Sequence, residues 1–317
     1  MSYTFEQFIR FTTDSVGLER TFRLFQAIAQ ILSSFALPFD LLIYAVGLTA
    51  YGPPSPAAAR IVLLALRQRL ALARRFFRLF RFLESFNGAQ KLYATVSATQ
   101  GPRAGSAKPA WVQSDVWLDI LGRTFNGMYL LLEASTMVDA LKIDSLAIWT
   151  PEWEQRITVE GQRFWLFSLV CGVISGTVKM LKVLAYTPVP TVVEDNLNRK
   201  QESGTAQPEP EKPLAQGEKE SQEAWDLRKE QERLRGIVKG RKQGRVAWRR
   251  EIRQKIHKLG RGVIANALDI TLPGSVVGWV QVDTGTVGVA MFITTILTSM
   301  DVWERCGQEV ARSTSVG

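Results

Sequence analysis

Apolar residues in this chain are collected into runs, near positions 36–48, 164–186 and 276–300, with strongly polar stretches between them. That sorting constrains the fold more than any motif. A water-soluble core is assembled from many short periodic segments, whereas long apolar runs of low charge mark contact with lipid. The first run, ALPFDLLIYAVGLTA at 36–50, falls short of the roughly 20 residues that cross a bilayer and contains Pro38 and Asp40, so it predicts a buried or interfacial helix. FWLFSLVCGVISGTVKMLKVLAY, at 164–186, has no charge before Lys179 and sets Trp165 and Tyr186 near its ends, where interfacial aromatics sit. It predicts a membrane span, with a glycine-bearing core helix as the alternative. VVGWVQVDTGTVGVAMFITTILTSM, at 276–300, has span length and one acid, Asp283. Gly172 and Gly176 are four apart, as are Gly274 and Gly278, with Gly285 and Gly288 beyond, a spacing that permits close helix packing in lipid.

The polar stretches are basic. Lysine and arginine number 39 against 30 acids, a net charge of +9 over 317 residues, which calls for a polyanionic partner, nucleic acid or an anionic lipid surface. Cys171 and Cys306 lie far apart, and the first sits in an apolar run, so no disulfide framework is expected and a reducing compartment is. The single histidine, His257, stands among basic residues in KIHKL and reads as a solvated helix residue. The first residues lack the apolar stretch of a secretory signal, and TSVG at the end is neither a peroxisomal tripeptide nor a prenylation box, so targeting is expected to be internal.

Helix signals recur along the chain. Residues 1–98 read as an amphipathic helical region. Asp14 or Ser15 can cap a helix in which Phe22, Phe25, Ile28, Ala29 and Leu32 form an apolar stripe flanked by Arg20 and Arg23, with Glu19 in the first turn. Ser55 and Pro56 then open a helix over about 57–87. Glycine and proline punctuate a loop at 99–110. Residues 111–186 read as central helices ending in the 164–186 span. Glu133, Asp139, Lys142 and Asp144 place the earlier part within a bundle rather than in lipid, and Asp139 and Lys142 are spaced to pair. Thr150 and Pro151 restart the helix. Residues 187–222 have the composition of a disordered linker. Residues 223–317 read as a basic amphipathic helix, with Trp248, Ile252, Ile256, Leu259 and Val263 as its stripe, followed by the 276–300 span. The expected fold class is all-α: a membrane-associated helical bundle with amphipathic helices and one or two transmembrane helices.

The segment RQRLALARRFFRLFRFLE at 67–84 combines arginine and phenylalanine. At about 100° per residue, Arg74, Arg78 and Arg81 return to within about 40° of Arg67, while Leu72, Phe76, Leu79 and Leu83 fall opposite. Arg75 widens the basic face, Phe77 and Phe80 the apolar one, and Phe82 falls among the arginines. This is the composition of a helix lying in a membrane interface, cations toward headgroups and rings among acyl chains. The same face could instead pack on neighbouring protein helices, with the arginines snorkelling. RNA binding suits arginine with aromatics but explains neither long apolar run, so no nucleic-acid partner is expected.

The order of these features resembles a known family, the peroxisomal biogenesis factor 11 proteins. TTD followed by GLERTFRLFQ resembles its opening pattern at Asp14, Gly17, Glu19, Arg20, Arg23 and Gln26, and LARRFFRLFRFLE resembles its basic amphipathic helix. GMYLLLEAS and GTVGVAMFITTILTSMDVW are similar to its middle and last apolar segments. The resemblance implies a protein of the peroxisomal membrane that self-associates or joins family paralogues, elongates the organelle before fission, and cooperates with a fission adaptor and a dynamin-type GTPase. The anionic phospholipid membrane would be the partner of the amphipathic helix.

No phosphate loop, paired metal-ligand histidines, CxxC or histidine-activated nucleophile is present in the sequence, so no enzyme, cofactor or metal site is expected. A different function, an oligomeric channel for small solutes, is suggested by the glycine faces and by Asp283 within an apolar run.

Overall fold

Asp14 stands one residue before a helix and its carboxylate accepts the Gly17 backbone N–H at 3.1 Å, so of the two candidate caps it is Asp14 that acts. The computed structural model describes residues 3–36, 38–40, 56–99, 113–143, 146–187 and 216–316, and every regular element among them is a helix. In chain order these are α1 (Tyr3–Thr13), α2 (Ser15–Ser34), α3 (Pro56–Arg78), α4 (Arg81–Thr99), α5 (Ser114–Ser135), α6 (Met137–Ala140), α7 (Pro151–Tyr186), α8 (Gln216–Asp269), α9 (Thr271–Val277) and α10 (Thr284–Val316). The expected helix at 36–50 and loop at 99–110 fall largely outside the described residues, as does most of the expected linker at 187–222; its last residues, from Gln216, are helical.

Three expected boundaries differ. The helix over 57–87 is two helices, interrupted at Leu79 and Phe80, where Leu79 donates to the Phe76 carbonyl at 3.3 Å and Leu83 to that of Phe80 at 3.1 Å. These i to i−3 bonds tighten the turn and redirect the chain. The central helix ends at α6. Lys142 has φ +53°, which stops the helix, and Asp139, expected to pair with Lys142, instead accepts the N–H groups of Ile148 and Trp149 at 2.7 and 2.9 Å. Asp144 lies outside the described residues. The C-terminal helix of membrane-crossing length starts at Thr284, not at 276: Gly278, at φ +83°, caps α9 in the left-handed region, and a turn with irregular residues follows before α10.

Two units make up the chain, Met1–Lys179 with Leu259–Gly317, and Met180–Lys258. In the second, Arg249, Arg250, Arg253 and His257 are exposed, while Trp248, Ile252 and Ile256 are half-buried along the same helix. In the first, α2 packs on α3 and α10, α1 on α10, and α4 on α5. The α4–α5 contact is built from Ala89, Val96 and Ile120. Tyr129 of α5 stacks on Trp165 of α7 at 5.3 Å.

The polarity of the first unit is reversed relative to a water-soluble bundle. Glu19, Arg23 and Arg74 are 2%, 4% and 8% exposed, and Thr294, Thr295 and Ser175 are buried with them. Ile61, Phe76, Phe80, Leu83 and Ile174 are exposed. α7 and α10 are both long and apolar enough to cross a bilayer.

Candidate functional site: an arginine-lined chamber

α2 carries Glu19, Arg23, Gln26 and Gln30 at spacings of three and four, which puts them on one helix face. That polar face turns inward, while the apolar stripe divides: Ala29 is buried, Phe22, Ile28 and Leu32 are half-buried, and Phe25 is exposed. On α3 too the polar face turns inward, where Arg74 and Arg78 meet protein carboxylates. Arg74 grips the Glu19 carboxylate through Nε at 2.9 Å and Nη2 at 2.8 Å, and donates through Nη1 to Gln26 at 2.7 Å. Arg78 donates to Glu133 of α5 at 2.8 Å and to the Tyr129 hydroxyl at 3.3 Å, with its guanidinium 6.0 Å from that ring. Arg75 approaches Glu133 at 3.8 Å, Arg81 lies 3.9 Å from Glu84, and Arg67 is half-buried. A second buried pair, Arg23 with Asp269 at 2.5 Å, ties α2 to the end of α8, and the same Nη2 reaches Thr294 of α10 at 3.2 Å. Asp119 of α5 accepts from Ser175 at 2.5 Å and from Lys179, both on α7.

These residues surround a chamber of about 550 Å³. Its walls carry six arginines, at 20, 23, 74, 78, 81 and 123, together with Lys179. Four carboxylates of the lining face them, Glu19, Glu84, Asp119 and Asp269, and Glu133 holds Arg78 from behind, so seven cations oppose five anions and leave an excess of two positive charges. Burial alone would raise the Glu19 pKa, but Arg74, Arg20, Arg78 and Arg23 outweigh it and hold the carboxyl down at about 2. Desolvation and the neighbouring Arg78 lower Arg74 to about 10, with Glu19 opposing them. For Arg78 burial also disfavours the charge, yet Glu133 and Tyr129 raise its pKa above the ordinary value. Burial pushes the Tyr129 hydroxyl up to about 12.

The apolar residues predicted with the arginine stripe divide. Phe77 stacks on Phe22 of α2 at 5.5 Å, and Leu72 and Leu79 are half-buried. Phe76, Phe80 and Leu83 point outward; Phe76 is 52% and Phe80 71% exposed. The glycines divide as well. A Cβ at Gly172 would stand 2.6 Å from the Asn266 amide and one at Gly176 2.5 Å from Val263, so α7 and α8 approach closely through these positions. Gly285 faces Phe35, and Gly288 faces Gln30 and Ile31 of α2. Gly274 lies under Val280 in the turn after α9, where a Cβ would also stand 3.9 Å from Leu166 of α7, and Gly278 meets no neighbour. Asp283 sits at the start of α10 and accepts the Gly285 N–H at 3.0 Å.

Sequence reasoning missed Glu19, Gln26 and Asp269 as partners of the arginines. The available signal was polar residues at helical spacing in otherwise apolar helices, as Glu19 and Arg23 are.

Ten helices among the described residues, two of them of membrane-crossing length and a charged interior between apolar outer faces, define an all-α membrane-associated protein. The sequence profile described as Peroxisomal biogenesis factor 11 (PEX11) matches residues 41–303. The chain belongs to that family and has its role in peroxisome biogenesis and proliferation. The match includes the arginine helix, GMYLLLEAS and the start of α10, while the TTD and GLERTFRLFQ pattern lies before it. No curated protein and no solved structure matches the chain.

Proposed function

We propose that this protein curves and elongates the peroxisomal membrane by seating the outward apolar face of α3 and the start of α4 in one leaflet, promoting proliferation and fission of the organelle. The observation that supports this is the orientation of the arginine helix. Arg74 and Arg78 are clamped from behind by Glu19 and Glu133, and Ile61, Val62, Phe76, Phe80 and Leu83 are held outward. Anchoring by buried ion pairs presents the apolar stripe as a rigid wedge. Full burial of each large apolar side chain contributes about 1.5–3 kcal/mol, less in the headgroup zone. The partly exposed Arg75 and Arg81 can add about 1 kcal/mol each beside an anionic leaflet. A wedge about 5–10 Å deep expands one leaflet against the other. Self-association, a fission adaptor and a dynamin-type GTPase complete this reading as partners implied by the family.

The test is reconstitution of the full chain in liposomes containing anionic phospholipid. Tubules are expected with the wild type and not with Phe76→Asp combined with Phe80→Asp, at equal insertion; tubules of unchanged number with the double variant overturn the reading. The chamber supports a second reading, an oligomeric channel for small solutes, because a charged cavity inside apolar outer faces suits passage. Efflux from sealed liposomes that ignores the Phe76 and Phe80 substitutions but responds to Arg123→Asp would favour it. Asp283, the acid first linked to conduction, does not line the chamber.

A further inference from the structure

The chamber holds more positive charge than its own carboxylates satisfy. Glu19 is taken by Arg74 and Asp269 by Arg23. Arg20 is left with the second Glu19 oxygen at 3.6 Å, and Arg123, exposed at the rim, has no carboxylate within ion-pair distance among the described residues. The Nε–H groups of Arg23 and Arg78 are buried without a hydrogen-bond acceptor, that of Arg20 has only the Glu19 oxygen at 3.6 Å, and Arg23 is almost wholly enclosed. A buried donor left unpaired is costly, and more so when it is charged. Like charges add to this: burial, together with Arg23 and Arg81, pulls the Arg20 pKa down to about 10 despite Glu19. One small anion with several acceptor oxygens would relieve both, since guanidinium forks match phosphate oxygens in pairs. The space, about 550 Å³, is of the size that small-molecule sites occupy.

We propose that the chamber binds a phosphate-bearing anion, seated among Arg20, Arg23, Arg81 and Arg123. The phosphate comes either from a lipid headgroup entering past the rim or from a free phosphorylated solute; the recognition chemistry is the same. The site depends on neither the wedge nor the channel reading, since it requires only the interior of the folded chain.

The test uses the full chain, purified in neutral detergent and stripped of lipid, titrated calorimetrically with inorganic pyrophosphate. Saturable binding is expected, weakened roughly tenfold or more by Arg20→Gln and by Arg123→Gln. Lys91→Gln, an exposed charge of α4 outside the chamber, is expected to leave it unchanged. Arg123 is exposed and has no ion-pair partner to lose, so its variant reads binding even where Arg20→Gln loosens the fold. In nanodiscs, phosphatidic acid competing with pyrophosphate where phosphatidylcholine does not identifies the lipid as the source; equal binding in both discs identifies the solute. Absence of saturable binding to the wild type, or an equal loss with Lys91→Gln and Arg123→Gln, overturns the proposal. Binding in detergent involves no bilayer, so either result leaves the tubulation experiment to stand or fall separately.

Discussion

Replacing Glu19 with Gln removes the carboxylate on which the junction of α2 and α3 is built. Glu19 is almost completely buried, and its Oε1 receives Arg74 through two nitrogens at 2.8 and 2.9 Å. Its pKa falls from an ordinary 4.5 to about 2 in the folded chain. At 1.36 kcal/mol per pH unit that difference is about 3 kcal/mol of stability. Since the folded value lies below the unfolded one, the contribution is complete above pH 4.5 and is lost as pH falls toward 2. Stripping one partner from a buried ion pair costs a similar amount, roughly 3–5 kcal/mol. For a chain of this size about 3 kcal/mol corresponds to a fall in the unfolding midpoint of roughly 4–5 °C. The assay is thermal unfolding in detergent, followed by circular dichroism from pH 2 to 7. The wild type should lose midpoint temperature steeply below pH 4.5, while Glu19→Gln should start lower at pH 7 and change less on acidification. A variant whose midpoint and pH profile match the wild type would refute the argument that Glu19 is ionised and clamped inside.

Arg23→Met should destabilise by about 3–5 kcal/mol, because it strands Asp269 in the interior, and Arg23→Met with Asp269→Leu should recover much of the loss; thermal melts of the two variants check this. Gly176→Leu places its first side-chain carbon 2.5 Å from Val263 and should cost about 1–3 kcal/mol through overpacking, whereas Gly262→Leu, with open space beside it, should cost little. Gly278→Ala must adopt φ +83° and should lose about 1–2 kcal/mol, read as a lower midpoint with unchanged helix content.

Features that depend on near neighbours in the chain were legible in the sequence. The Asp14 cap, the helix opened by Pro151 and the run of α7 follow from residues within a few positions of each other. The helix wheel at 67–84 sets Arg67, Arg74, Arg78 and Arg81 opposite Leu72, Phe76, Leu79 and Leu83 but cannot say which side meets protein, because each face has a medium that suits it. Only assembly decides. Glu19 and Glu133, each 55 residues from its arginine, supply the inward partners that leave the apolar rings outside. The break at Leu79 and Phe80 carries neither proline nor glycine, so nothing local announced it, and Gly278, which the sequence offered as a helix-packing glycine, instead caps α9 ahead of α10. The sequence by itself therefore determined an all-α chain with two runs of membrane-crossing length and a segregated basic helix, since period and capping are local properties. Tertiary structure alone decided that the arginines line a shared chamber, because charge burial is stable only where distant carboxylates converge on it.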